Sequence, residues 1–300
     1  MGQLSPRLRF GLPSLALGTL MLLCGVALPA RAQELEVNLP PDENHLLDPD
    51  KLDPGIPMNT DEQLAQQLNN PLASVISVPI QNNFDYGLGR NEQGFRYTLV
   101  AQPVVPFKLS NDWNLITRTV IPFATVDRVF PNSETGLGDI VQSLWFSPAR
   151  QTNWGLTWGV GPAILYPSAT NRFLGGRQWA AGPTGVAVVT RGPWLGLLLA
   201  NQLWSLGGTP EGRQQINLTF VQAALAYTTQ TRTTFFVSTE STYDYTTRRG
   251  TVPLQLGINQ LLRIGGVPFQ LGGLVRYYVD TPAGGPTWGF QLRLTLVFPK

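Results

Sequence analysis

The sequence predicts an all-β fold: a transmembrane, antiparallel, up-and-down β-barrel of about 12 strands, preceded by a disordered acidic segment and a short helix. Three observations carry that expectation. From Trp288 to Phe298 the even positions (Trp288, Phe290, Leu292, Leu294, Leu296, Phe298) are large and apolar, while Gly289, Gln291, Arg293, Thr295 and Val297 occupy the other face. Such a strand has oil on one side only. The pattern recurs along most of the chain in pieces of roughly ten residues, the length at which a tilted strand crosses a bilayer. The chain also opens on an export signal.

That signal spans residues 1–32. Arg7 and Arg9 supply its positive flank, Leu12 to Leu28 is mostly apolar, and Ala30-Arg31-Ala32 forms a small-x-small cleavage site, so the mature chain is expected to begin at Gln33. Pro13, Gly18 and Gly25 interrupt the apolar run and argue against a membrane anchor. Cys24, the only cysteine, leaves with the signal, and the mature chain is then without disulfides or thiolate metal sites. No later stretch approaches 18 consecutive apolar residues. Helical spans are thereby excluded, and a closed barrel is left as the way across a bilayer.

Residues 33–70 carry nine acidic side chains against Lys51 alone, whereas residues 71–300 carry seventeen Lys and Arg against ten Asp and Glu. Pro40, Pro41, Pro49, Pro54 and Pro57 and a lack of aromatics mark the first part as an extended periplasmic tether. A short helix near 61–69 interrupts it. Thr60 with Gln63 makes a capping box, Asp61 and Glu62 suit the first turn, Pro71 ends the run, and Leu64 and Leu68 share the apolar face.

The barrel is expected over residues 71–300. Turn signals define strands at 72–87, 94–109, 113–127, 137–148, 154–168, 178–190, 195–207, 214–229, 233–246, 251–264, 269–281 and 287–298. Tight links at Ser110–Asp112, Arg191–Pro193, Gln230–Arg232 and Gly265–Pro268 alternate with mostly longer ones such as 128–136, 171–177 and 207–213. Short turns of outer-membrane barrels face the periplasm and long loops face outward; an even strand count places both termini in the periplasm. Alternation is blurred in strands four, six, seven and eight. In strand five the inner face is Gly155, Thr157, Gly159, Gly161 and Ala163, small enough to leave room for water or neighbours. Trp113, Trp154 and Trp194 beside short turns, and Tyr86, Tyr166, Trp179, Tyr243, Tyr245 and Trp288 near long loops, form two aromatic girdles. Pro79, Pro103, Pro106, Pro122, Pro162, Pro183 and Pro253 fall inside strands, where bulges or bends are expected; they also keep a soluble β-sandwich in view.

The segments LNNPLASVISVPIQNNFDYGLG (68–89), LGDIVQSLWFSP (137–148), WGVGPAILYPSAT (158–170) and STESTYDY (238–245) resemble the bacterial outer-membrane meta-pathway phenol-degradation family, whose members are often misnamed neuromedin U. The resemblance covers nearly all of the chain after Asp61. It implies a barrel with a transport role, of aromatic or apolar compounds by its label, and supplies no catalytic residues. One departure from outer-membrane proteins in general is that Phe298 is followed by Pro299 and Lys300, where barrels usually end on an aromatic residue.

By alternation, the charged residues Asp85, Arg96, Arg118, Glu240, Asp244, Arg263, Arg276, Asp280 and Arg293 point into the lumen. A lysine or arginine facing mid-membrane lipid would cost about 2–4 kcal/mol. Hairpins symmetric about their links would align Glu240, Gly257, Arg276 and Arg293 in one rung, with Glu240 reaching Arg276 across the missing side chain of Gly257, and would set Asp85 opposite Arg96. These groups either fill a narrow interior with ion pairs, or Arg276 and Arg293 line a constriction that selects anionic or polar solutes. The acidic segment could also lie in the basic lumen as a plug.

Catalysis finds little support. The one histidine, His45, falls in the acidic segment, and neither a metal-ligand cluster, a Walker sequence nor a dinucleotide fingerprint is present; GVGPAI lacks the required strand-to-helix setting. No enzyme activity, cofactor, metal or nucleic-acid partner is therefore expected. The expected partners are outer-membrane lipid, small-molecule solutes and the barrel-assembly machinery. Two functions remain: a passive channel or facilitator for small solutes, and a closed structural or interaction barrel. Loops of only about ten residues favour the first.

Overall fold

Alternating apolar and polar residues bury half of each strand against lipid and half against the lumen, and the backbone then has one way to satisfy its hydrogen bonds: closure. The computed structural model describes residues 60–207 and 213–298, and shows this closure. The expected signal peptide (1–32), most of the acidic segment (33–59) and His45 lie outside the described residues.

Helix α1 (Thr60–Gln67) precedes twelve antiparallel strands: β1 (Ile76–Leu88), β2 in two pieces (Gly94–Ala101 and Val104–Lys108), β3 (Trp113–Asp127), β4 in two pieces (Glu134–Leu137 and Ile140–Pro148), β5 (Leu156–Tyr166), β6 (Ala180–Arg191), β7 (Trp194–Ser205), β8 (Asn217–Thr228), β9 (Thr233–Asp244), β10 (Arg249–Ile264), β11 (Val267–Asp280) and β12 (Trp288–Phe298). Each strand pairs with its sequence neighbours, and β12 pairs with β1 in unbroken register from Ile76↔Phe298 to Tyr86↔Trp288. On the outer face of that seam, Phe84 stacks on Phe290 and Tyr86 on Trp288, each pair with ring centroids 4.6 Å apart. Offset-stacked rings add to the ladder where the chain's two ends meet.

The exterior is apolar. Leu198, Leu256, Val275 and Leu292 stand exposed at mid-wall, Trp113, Trp154 and Trp194 at the short-turn end, and Trp179, Tyr243, Tyr245 and Trp288 at the long-loop end. This is the expected pair of aromatic girdles around an oily belt. Gly265 and Gly266, with φ of 57° and 83°, make a two-residue hairpin between β10 and β11 whose left-handed backbone glycine alone adopts without strain.

The in-strand prolines are absorbed locally. Pro162 of β5 and Pro183 of β6 face each other, and the β4–β5 and β6–β7 ladders each skip the neighbouring positions. Those gaps lie on the side of each proline away from the other, where its absent N–H would have pointed. Gly161 and Gly182, the residue before each, let the neighbouring backbone come close: a Cβ would strike the carbonyls of Leu144 and Gln202. Pro103 marks the break in β2, and Pro253 sits at a bulge against β11. Pro79 and Pro122 contribute through their carbonyls, which accept the N–H groups of Gln102 and Gly138.

Candidate functional site

The lumen is divided lengthwise. On β1 and β9–β12 the inward residues are polar and buried: Gln81, Asn83, Asp85, Ser238, Gln255, Asn259, Gln270, Gln291 and Thr295. On the opposite wall, from the second piece of β2 to β8, they are mostly apolar, with Arg118, Ser143, Ser147, Thr184 and Asn201 set among them. Val104, Ile116, Trp145, Val186, Val188, Leu195, Leu197, Leu199 and Ala226 form one buried cluster that fills the short-turn half of the barrel. The small inner face of β5 is filled as well, since Trp145 and Leu72 lie over Gly159. Trp145 is fully buried, and its indole N–H donates to Thr184 Oγ1 at 3.1 Å. Glycine there makes room for neighbours rather than for water.

The same end is closed by α1, which enters the mouth of β8–β10. Asp61 Oδ2 accepts from Arg232 Nη1 at 2.9 Å, and its Oδ1 accepts from both Arg263 Nε at 3.1 Å and Arg263 Nη2 at 2.5 Å. Gln66 donates to the Gly192 carbonyl at 2.8 Å, and Asn69 accepts from Asn259 at 3.0 Å. Asn69 also caps the helix through the Ala65 carbonyl, and the chain then turns so that Leu72 drops into the apolar cluster. The inward face of α1 is Glu62, Ala65 and Gln66, not the expected Leu64 and Leu68, which stay half-buried. The docking surface explains this, because α1 meets turn carbonyls and arginines rather than an oily face. Hydrogen bonds from Arg263 and Arg232 hold the Asp61 carboxyl below the usual carboxylate range.

Toward the long-loop end the lumen opens into a cavity of about 570 Å³. Its charged side centres on Asp85, nearly fully buried, which accepts from Arg96 Nη2 at 2.9 Å, Tyr278 Oη at 2.8 Å and Arg276 Nη1 at 3.4 Å. Asn83 Oδ1 accepts from Arg276 Nη2 and Gln291 Nε2, each at 2.8 Å, and Gln291 Oε1 accepts from Arg293 Nε at 3.1 Å. Arg118 donates to Gln102 at 3.2 Å, and Glu240 accepts from Gln222 at 3.3 Å. Among the described residues Arg118, Arg293 and Glu240 have no ion-pair partner within 4 Å. The apolar part of the lining is Val100, Val120, Val126, Val141, Leu165 and Leu203. Phe130 and Phe173 cap the cavity with ring centroids 4.3 Å apart, and the Arg172 guanidinium lies 4.8 Å over Phe173.

Asp85 does face Arg96 as expected. The expected rung of Glu240, Gly257, Arg276 and Arg293 does not form: Arg276 pairs with Gly289 and Gln255, Arg293 with Gly272, and Gly257 with Leu274 and Phe236. The space over Gly257 is taken by the Phe236 ring, so Glu240 does not reach Arg276 across it. Arg276, Glu240 and Arg118 nevertheless border the one cavity. Arg263 stands at the short-turn rim, where it holds α1, and Asp280 is exposed at the loop rim. Asp244 lines a second pocket there, with its Oδ1 accepting the N–H groups of Thr246 and Thr247. Tyr278 and Asn83, central to the network, are not among the expected site residues although each shares the inward parity of the charged residues on its own strand, and Gln291 stands on the polar face expected of β12. Phe130 and Phe173 lie in loops, where no periodicity points to them.

One solved structure shares this barrel architecture. The COG4313 outer membrane channel from Pseudomonas putida F1 superposes with a TM-score of 0.60 at 15% identity, over 75% of this chain and 96% of that one. Outer membrane phospholipase A from Escherichia coli gives a TM-score of 0.45 at 11% identity, over 79% of this chain and 96% of that one. The first likeness shows a shared barrel fold. No family model and no curated protein matches the chain.

Proposed function

We propose that this protein is an outer-membrane channel or facilitator for the passive passage of small solutes, with its long loops outside and its short turns and α1 in the periplasm. One observation carries the reading: a closed barrel with a lipid-facing belt encloses, instead of a solid core throughout, a cavity with polar and apolar sides. The fold shared with the Pseudomonas channel supports it. The apolar wall suits aromatic or apolar solutes, in line with the resemblance to the phenol-degradation family, to which we assign the chain on the segments quoted above. No catalytic machinery is invoked. Among the described residues no group of histidine, cysteine and carboxylate side chains could hold a metal ion.

The filled short-turn half favours a gated channel, and it also sustains a second reading, a closed barrel that binds a solute without passing it. Planar-bilayer recording of the refolded mature protein under a salt gradient separates them. The channel reading expects brief conducting events that become frequent when residues 60–72 are deleted. A folded barrel that stays silent with and without those residues supports the closed one.

A further inference from the structure

We infer that the cavity is a binding site for an amphipathic anion: a small molecule with an apolar body and one carboxylate head, the head held by Arg118. This deepens the solute reading above and rests on it for the route by which the ligand reaches the lumen.

The charge balance points to an anion. Four arginines (Arg96, Arg118, Arg276, Arg293) share this part of the lumen with two carboxylates, Asp85 and Glu240. Asp85 is fully taken up by Arg96, Arg276 and Tyr278. Glu240 is the carboxylate whose field reaches Arg118, Arg276 and Arg293, yet it bonds none of them and is held by Gln222. Two positive charges are thus left over. Arg118 is the one of the pair that borders the cavity, and its guanidinium spends one of five N–H donors on Gln102. A carboxylate is the planar acceptor that such a fork binds on two oxygens at once.

The rest of the cavity excludes a small hydrophilic anion as the best fit. Valines and leucines of β3, β4, β5 and β7 line the cavity beside Arg118, itself on β3, and the Phe130–Phe173 pair closes the outer end. A cation would meet surplus positive charge, and a sugar would lay part of its hydroxyl-bearing surface against valines and leucines that accept no hydrogen bond. A molecule with a head on Arg118 and an aromatic or branched body on the apolar side satisfies both halves. The volume lies within the ordinary range of small-ligand sites.

Equilibrium dialysis of proteoliposomes against protein-free vesicles of the same lipid tests this without requiring transport, so a silent barrel in the bilayer recording leaves the outcome readable. The probes are 3-phenylpropionate, 3-phenylpropanol and inorganic phosphate. The expected result is saturable binding of the acid at least about tenfold tighter than of the alcohol or phosphate, the size of one charge-assisted contact. Arg118→Gln should abolish the preference for the acid while leaving binding of the alcohol unchanged, and Arg118→Lys should restore part of it. Arg249→Gln, at the exposed loop rim, should change nothing. Equal affinity of wild type for acid and alcohol overturns the inference whatever the variants do, as does an Arg118→Gln barrel that keeps the preference, or phosphate binding as tightly as the acid.

Discussion

The two walls of the lumen are held together by different physics. The polar wall, β9–β12 and β1, is a hydrogen-bonded mesh in which Asp85 anchors two arginines and a tyrosine, and Asn83 and Gln291 tie the arginines to the backbone register. The apolar wall, β3–β8, is packed as a soluble protein's core is packed, with Trp145, Ile116 and Leu199 at or near zero exposure. A mesh of charges is directional and costly to break singly, whereas a packed cluster yields in proportion to the volume removed. The cavity between them takes its charged groups from the mesh and from Arg118 of β3, and its affinity for hydrocarbon from the packed wall.

Breaking the mesh at its centre should have the largest effect. Asp85→Ala strands Arg96 and Arg276 in the interior, and the loss of a buried partner typically costs about 3–5 kcal/mol. A urea-unfolding midpoint equal to wild type would mean that water already solvates those arginines. On the other wall, Leu199→Ala should cost about 2–5 kcal/mol and leave the charged side of the cavity unchanged, read from the same titration together with the acid-to-alcohol preference. Between these in kind but smaller in size is Gln255→Leu, which removes the acceptor of the buried Ser238 hydroxyl. Its expected cost is about 1–3 kcal/mol, and a neutral result would show that the polar wall tolerates apolar replacement as the other wall does.

The sequence made the inward face legible and the rung illegible, for one reason. Strand faces depend on parity alone, and each hairpin of the rung was misjudged by an even number of residues. The β10–β11 link is the two-residue Gly265–Gly266 turn, not a four-residue one, which shifts the register by two; β9 ends and β10 begins two residues before the expected bounds, which shifts it by four. Glu240 and Arg276 still border the cavity, but neither has the neighbour expected of it. Asp85↔Arg96 formed as expected because a bulge between Tyr86 and Leu88 absorbs the one residue by which β1 runs past its expected end. The blurred alternation of VAVV (186–189) and LGLLLA (195–200) had a physical cause as well: both faces are apolar because one meets lipid and the other meets the cluster inside. Nothing in the helical pattern of α1 showed that its inward face would be Ala65 and Gln66, since that choice is made by turn carbonyls it does not carry.

The smallest expected change in stability, and the one that most sharpens the comparison, is at the seal. Asp61 bridges Arg232 and Arg263, so α1 is fastened to the polar side by charge while Leu72 behind it is fastened to the apolar side by packing. Its carboxyl titrates below the ordinary value of 3.8 because those hydrogen bonds favour the ionised form. A depressed folded-state pKa means that the contribution is complete above that ordinary value and is lost as pH falls through the lowered one. Bilayer conductance should accordingly be flat from pH 7 to about 5 and rise as the pH is taken below 4. Asp61→Asn should show the raised conductance at pH 7 and little further change on acidification, which separates this carboxyl from Asp85 and Glu240. If the variant instead keeps the acid response of the wild type, the charge clamp does not hold the gate, and Leu72 and the packed wall alone keep the short-turn end shut.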